Sequence, residues 1–476
     1  MSSKSFELPG HVIFDEPMLR FGGDPLVARD VHPLRGLLNY GPFTKDKLAA
    51  VPDPIRVATI FPARQREKLI GLLRELYGRH TPRERRAFLL EYPGFTKIFE
   101  VKIIPAGDAT SYEMGSTLTA DMAAAERPHA VLAEAITQGI RALRNVRNQF
   151  DVVLILLSEE WEAAFKETKV EDFDLHDYIK ATAAADGIPV QIVKESGAMS
   201  YYCRCSVMWR LSTALYTKAG GIPWVLADLK PGTAYIGIDY ALRPNPQGES
   251  RFAICCSQVF DAEGSGLEFI AYEADGVRLF GKNPFLRRDQ MMKVVARSLA
   301  IYQRKHTGTL PTRVVIHKNT EFKPEEVDGC FDALMGVKDI ELVQIQQECG
   351  WRGIHISGKH QPHGYPVLRG SSFQLGPQET LLWTQGNLPD VTQTGRGDYY
   401  KEGKGIPEPL LLSRYAGFGP TDDLCKEVLA LTKMDWNNDG PYDRIPVTLS
   451  YAKILASVVK RMPKMEPHSY AFRLFM

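Results

Sequence analysis

From Tyr235 the chain sets strand directly after strand. YIGIDYALRP (Tyr235 to Pro244), FAICCSQVF, LEFIAYE and GVRLF are β-branched and aromatic runs parted only by turn residues, the pattern of an antiparallel meander. Helix and strand then alternate: a basic helical run from Arg287 to Lys305, the strand VVIH (Val314 to His317), a helix from Pro324 to Leu334, and the strand IELVQI. Three antiparallel strands followed by helix and strand units constrain this half to an α/β fold with one mixed sheet.

Within the first of these strands, small and β-branched residues lead to one carboxylate, Asp239. Nucleases of the RNase H class share this strand order and begin the same way. Their first carboxylate sits on the opening strand because clustered carboxylates hold two divalent cations beside a scissile phosphate. An Asp that merely ends a core strand is the other reading.

Upstream the pattern differs. Residues 1 to 55 are punctuated by Gly and Pro and read as a loop-rich arm. From Arg56, strand-like RVATIF, FEVKII and VVLILL (Val152 to Leu157) alternate with helical runs, one of them from Ala120 to Asn145 with Pro128 as a break or kink. Such units imply a parallel sheet whose ligand sites lie at the carboxyl ends of its strands. Asp174 is a candidate N-cap for the next helix, on which His176 and Lys180, four apart, share one face. Unpaired helix amides beside two donor side chains suit a phosphate; a solvated helix face suits the same spacing. The strand GIPVQIV carries Gln191, and Lys218 lies in the last turn of a helix from about Arg204, where a lysine also complements the helix dipole.

The 58 Lys and Arg balance the 57 Asp and Glu, so any surface for nucleic acid has to be local. The best local candidate is Lys282 to Lys305, where Arg287, Arg288, Lys293, Arg297, Arg304 and Lys305 stand against the single acid Asp289. Lys460, Arg461 and Lys464 form a smaller one. The seven cysteines follow no zinc or disulfide spacing, no apolar run reaches membrane-spanning length, and the N-terminus lacks a signal-like segment; a cytoplasmic protein is expected.

The pieces FDEPMLRFG and GLLNYGPF, the series HDYIK, GIPVQ and KAGGIPW, the strand IGIDY, and VVIHKN and YAKILA resemble, in this order, the short prokaryotic Argonautes. That resemblance covers essentially the whole chain. It implies a Rossmann-like MID domain (56–230) that binds the 5′ phosphate of a guide strand, followed by an RNase H-like PIWI domain (231–476), with residues 1–55 packed on both. The implied phosphate pocket is His176, Lys180, Gln191 and Lys218. The family also places the C-terminal carboxylate in this pocket, with a bridging Mg²⁺; Met476, ending the apolar FRLFM, is the candidate, with Gln191 as co-ligand. A packed last strand with a solvated end is the alternative.

Catalytic members of the family carry metal-binding carboxylates or His where this chain has Asn319 and Lys453. A neutral amide and an ammonium beside Asp239 do not make a two-metal site, and Glu273 or Asp275 is left as an unplaced second carboxylate. The implied protein is therefore a non-cleaving subunit that uses an RNA guide to recognise single-stranded target DNA. It would switch on a partner carrying an APAZ domain and an effector, with a sirtuin-like NAD-consuming enzyme favoured over TIR or nuclease types. That system would serve antiviral and plasmid defence, with a higher oligomer on activation. The rival expectation is an autonomous guide-dependent endonuclease.

Overall fold

The computed structural model describes residues 10–47, 51–167, 172–244, 250–259, 267–274, 277–280, 283–356, 361–389, 391, 398–400, 405–461 and 469–476. In the first half, Val190–Lys194, Val152–Leu157, Ile55–Phe61 and Ile103–Pro105 pair in that order, all parallel, with Ser111–Glu113 also alongside Ile55–Phe61. All six residues of Val152–Leu157 are buried because both sheet faces are covered. Val153, Ile155 and Leu157 meet the helix Pro128–Arg144 through Leu132, Ile136 and Ile140. Val152, Leu154 and Leu156 belong to the opposite core, with Leu69 and Leu72 of the helix Arg66–Glu75 and Met208 and Leu215 of the helix Arg204–Lys218. Pro128 is at the first helical position, so the expected long run is two helices, Leu118–Ala124 and Pro128–Arg144. FEVKII shrinks to Ile103–Pro105 because Phe99 closes a short helix and Glu100 turns through a left-handed φ of 60°.

The second half is built on a ten-stranded sheet. Its order is His11–Ile13, Ser371–Gln374, Glu379–Leu382, Leu410–Ala416, Asp339–Gln346, Arg313–Lys318, Thr233–Pro244, Ser250–Val259, Leu267–Ala274 and Ser469–Ala471. Thr233–Pro244, Arg313–Lys318 and Asp339–Gln346 run parallel, and Ser250–Val259 and Leu267–Ala274 form the expected antiparallel meander. GVRLF departs from it: Arg278–Phe280 pairs instead with Asn283–Phe285 as a separate ribbon. The stretch 357–420, read as short strands among Gly, Pro and polar residues, does hold short strands, and the helix Thr421–Leu431 is an element the sequence reading left out.

The first 55 residues are more ordered than a loop-rich arm. Their helix Pro33–Tyr40 packs Leu34 and Leu37 into the first core, and their strand His11–Ile13 extends the ten-stranded sheet. Glu16 anchors the arm, held by Arg369 at 2.8 Å and by Lys433. The two halves are pinned by Asp439, which accepts from Arg85 (2.7 Å), Arg210 (3.0 Å) and Ser206 Oγ (2.9 Å).

Two histidines are buried neutral. Burial pushes His32 down to about 4 and His317 to about 3. His317 is fully enclosed, with Nδ1 2.9 Å from Thr448 Oγ1. The unfolded chain binds protons at both below about pH 6.5 while the folded chain does not, so stability falls as pH drops from there toward 4. The slope approaches about 2.7 kcal/mol per pH unit with both groups titrating. Urea unfolding across pH 7 to 4 checks this, and replacing His317 by Gln should flatten the curve.

Candidate functional site

Helix Leu175–Ala185 begins at Asp174, whose carboxylate accepts from the amide of Asp177 (3.3 Å), the capping arrangement that fixes where the first turn starts. One turn in, Lys180 is buried, and its ammonium donates to the carbonyl of Phe475 at 2.9 Å. Lys218, at the end of helix Arg204–Lys218, is wholly enclosed and donates to the terminal oxygen of Met476. Residues 470–476 thus run between the two helices, and Phe472 and Phe475 pack edge and face against Phe269 and Tyr451.

Burial lowers Lys180 to about 8, against the pull of Asp177, Asp435 and Asp174. Burial drives Lys218 well below its ordinary value, and the charge of Lys180 adds to that. Two enclosed ammoniums near each other are costly unless an anion joins them. In this chain the tail supplies oxygens to both.

Gln191, on the strand Val190–Lys194, lines an open cavity of about 370 Å³ at the carboxyl end of the five-stranded sheet, together with Tyr201, Ser206, Arg210 and Asn437. A parallel sheet concentrates ligand-binding surface at that end. His176 is half exposed, with Nδ1 3.2 Å from Asp177. Of the four expected pocket residues, the structure joins Lys180 and Lys218 through the tail, sets Gln191 in a cavity whose lining includes neither lysine, and leaves His176 at the helix start. Arg210, Asn437 and the Asp439 loop escaped sequence reasoning. DWNNDG, residues 435–440, reads as turn chemistry, with no periodicity to aim it at a site 200 residues upstream.

In the other half, Asp239 lies in the middle of its strand, just past the stretch paired with Arg313–Lys318, half-buried, accepting from its neighbour Tyr240 N at 2.9 Å. Burial raises its carboxyl, which the Tyr240 amide and the charge of Lys453 partly oppose. Lys453 is exposed on the helix Val447–Val459. Asn319 follows the strand Arg313–Lys318 and accepts from Gln347 (3.4 Å) and, at its carbonyl, from Gln344 (3.2 Å). Lys318, just before it, forms a fully enclosed ion pair with Glu326 amid the rings of Tyr240, Phe285 and Phe322. The position next to Asp239 is thus occupied by amide and ammonium groups. The side chains of Glu273 and Asp275 lie outside the described residues.

No protein-family model matches the chain. The Argonaute of Aquifex aeolicus (strain VF5) is 20% identical over 317 residues, 65% of this chain and 39% of that protein. Clostridium butyricum Argonaute, solved with a guide DNA (5′ deoxycytidine) and a 19-mer target DNA, superposes with a TM-score of 0.70 at 14% identity, over all of this chain and 56% of its own. The fold is that of an Argonaute. Drosophila Piwi superposes with a TM-score of 0.58 at 14% identity, over 98% of this chain and 56% of its own. The chain spans about half the length, or less, of the relatives it matches.

The basic helix of this Argonaute-like fold, Arg288–Lys305, exposes Arg287, Arg288, Lys293 and Arg297. Several of its cations already have acidic neighbours: Arg288 with Asp332 (2.6 Å), Arg287 and Lys293 with Asp289, and Lys305 with Glu268 (3.1 Å). Arg461 pairs with Asp172 and Asp177, both at 3.2 Å, and Lys460 also reaches Asp172; Lys282 and Lys464 lie outside the described residues. The pairs of Arg287, Arg288 and Lys293 are largely exposed, so a phosphate backbone can compete for them, whereas Arg461 and Asp177 are mostly covered.

Gln191 and Met476 carry oxygens of the kind a hard divalent cation takes. Gln191 spends its amide nitrogen on Ile192 O (3.1 Å), which leaves its oxygen facing no protein donor among the described residues. The Met476 carboxyl group also carries oxygens of the type Mg²⁺ takes. Asp174, His176 and Asp177 also gather ligand atoms within 4.8 Å of one another. Their carboxylates are partnered instead by Lys166 (3.2 Å) and Arg461 (3.2 Å).

Proposed function

We propose that this chain is a guide-directed recognition subunit that holds a short 5′-phosphorylated RNA and pairs it with single-stranded target DNA without cutting it. The observation that carries this reading is the pair of enclosed lysines, Lys180 and Lys218, converging on the tail at the end of the parallel sheet. A terminal phosphate bears up to two charges, and two ammoniums with a helix N-terminus supply the donors it needs. Residues 56–230 act as the MID domain and 231–476 as the PIWI domain. His176 and Gln191 complete the phosphate pocket, and Arg287, Arg288, Lys293 and Arg297 follow the backbone. A Mg²⁺ ion held by the Met476 carboxylate and Gln191 would screen the guide phosphate from the tail's negative charge.

Asp239, Asn319 and Lys453 form a degenerate site in this reading, so the duplex is gripped and left intact. Base pairing supplies sequence specificity while the protein contacts phosphates and helical shape. The consequence of recognition passes to a partner chain with an APAZ domain and an effector, sirtuin-like in preference to TIR or nuclease types. That makes the system a cytoplasmic defence device whose complexes oligomerise when target binds.

The test combines two assays on the purified protein. Labelled RNA with a 5′ phosphate should bind more tightly than the same strand with a 5′ hydroxyl. The loaded protein should retain complementary DNA uncut in Mg²⁺ and in Mn²⁺. Metal-dependent cutting that disappears in Asp239→Ala would replace this reading with the autonomous endonuclease.

A further inference from the structure

Where the strands Asp339–Gln346 and Leu410–Ala416 meet lies an open cleft of about 580 Å³, lined by Phe331, Ile340, Pro377, Arg414, Tyr415 and Phe418 among others. Phe418 is 103% exposed, as if no chain packed on it, and Met335 on the adjoining turn is 88% exposed. Tyr415 and Phe331 are 38% and 44% exposed. A lone exposed apolar residue means little, but four large ones gathered around a cleft mark a surface that something covers.

The patch is rigidly presented. Gly417 has φ +122°, and a Cβ there would stand 2.8 Å from the Glu341 carboxylate, so only glycine lets the backbone pass. Glu341 is itself buried between Arg313 (2.7 Å) and Arg414 (2.7 Å). Arg414 Nη1 then donates to Gly419 O at 2.7 Å, so the tip is clamped on both sides of Phe418. A knob held this way loses little entropy when it is covered. Arg414 Nε, buried at the cleft, meets no acceptor among the described residues.

We propose that this cleft docks a partner polypeptide presenting a large apolar side chain with a carboxylate beside it. Two observations select that occupant. The cleft's charges, Lys338 and Arg414 against Asp339 and Glu341, nearly cancel, which suits an apolar protein anchor and gives a phosphate backbone no net attraction. Phe, Tyr, Met and Arg are the residues enriched at the cores of protein interfaces, and the unmet Arg414 Nε with Lys338 calls for one carboxylate from outside. The inference does not depend on guide binding.

The probe is a random dodecapeptide library displayed on phage, selected on the full-length protein and counter-selected on Phe418→Asp. The expected consensus has an aromatic or large aliphatic residue with Asp or Glu within two positions. A synthetic consensus peptide should bind with an affinity that falls by roughly thirtyfold or more in Phe418→Ala, the cost of one buried aromatic anchor. Lys338→Glu should weaken it further at low salt, while 5′-phosphate-dependent strand binding stays unchanged in both variants. Phe418 is fully exposed, so its replacement leaves folding intact. Absence of enrichment, or a basic consensus, overturns the proposal. So does single-stranded DNA whose binding is lost in Phe418→Ala, or self-association of the protein alone, seen by sedimentation, that Phe418→Asp abolishes.

Discussion

The Lys180→Ala, Lys218→Ala double variant should bind 5′-phosphorylated and 5′-hydroxyl strands with nearly equal affinity, where the wild type discriminates by about a hundredfold or more. Each charge-assisted bond to a phosphate oxygen contributes about 1.5–3 kcal/mol, so two of them account for that range. Lys180 and Lys218 already sit enclosed, and the cost of their desolvation is met before the strand arrives. The single variant Lys180→Ala should lose part of the discrimination and, with it, a pH dependence. Burial holds Lys180 at about 8 in the strand-free protein. A bound phosphate returns it toward the ordinary lysine range, so binding takes up a proton between those values. Affinity for the phosphorylated strand should therefore fall as pH rises from 8 toward 10, by at most about tenfold per unit for this group. Affinity that stays flat across that interval in the wild type, or falls equally in Lys180→Ala, would assign the phosphate to another site.

Asp439→Ala should be the most damaging substitution for stability, by about 3–5 kcal/mol, because it strips the counter-charge from Arg85 and Arg210 while leaving Arg85 largely enclosed. Arg85 draws on Asp439 and Glu84 to stay charged despite its burial. The carboxyl of Asp439 is held below the usual range, chiefly by hydrogen bonds and charge from Arg85 and Arg210 against its own burial. Its stabilisation is thus present above the unfolded carboxyl value and disappears as pH falls through the lower folded one. Asp439→Asn keeps the bond geometry and should lose less. A urea midpoint unchanged in Asp439→Ala would mean that the two halves are joined mainly by the arm and the tail.

Periodicity made the architecture readable wherever both faces of an element are covered. Val152–Leu157 announced itself as a buried strand, and Arg204–Lys218 as a helix ending before a glycine pair, and both stand where expected. Ser371–Gln374 and Glu379–Leu382 were less legible, because four-residue strands amid Gly and Pro carry no period long enough to separate from turns. Lys180 and Lys218 could be named in advance only through the resemblance to Argonautes, since their helix positions alone suit a solvated face and a dipole-complementing lysine. Their burial could not, because it is created by residues 470–476 arriving from the far end of the chain. The same holds for Arg210, which is joined to Asp439 across more than two hundred residues. Local sequence carries helix and strand; it carries no record of which loop a distant fold will lay against them.

Both edges of the ten-stranded sheet are closed by the extremities described above, His11 pairing with Phe373 and Tyr470 with Phe269. Such pairings place this half of the molecule among high-contact-order folds, slow to form because long loops must close before their contacts repay the entropy. On the ribosome, Leu267–Ala274 borders an open edge until Ser469–Ala471 emerges, and His11–Ile13 waits for Ser371–Gln374. Unpaired edges are templates for other chains, so yield in expression should hinge on chaperones and low temperature more than on the stability of the finished protein.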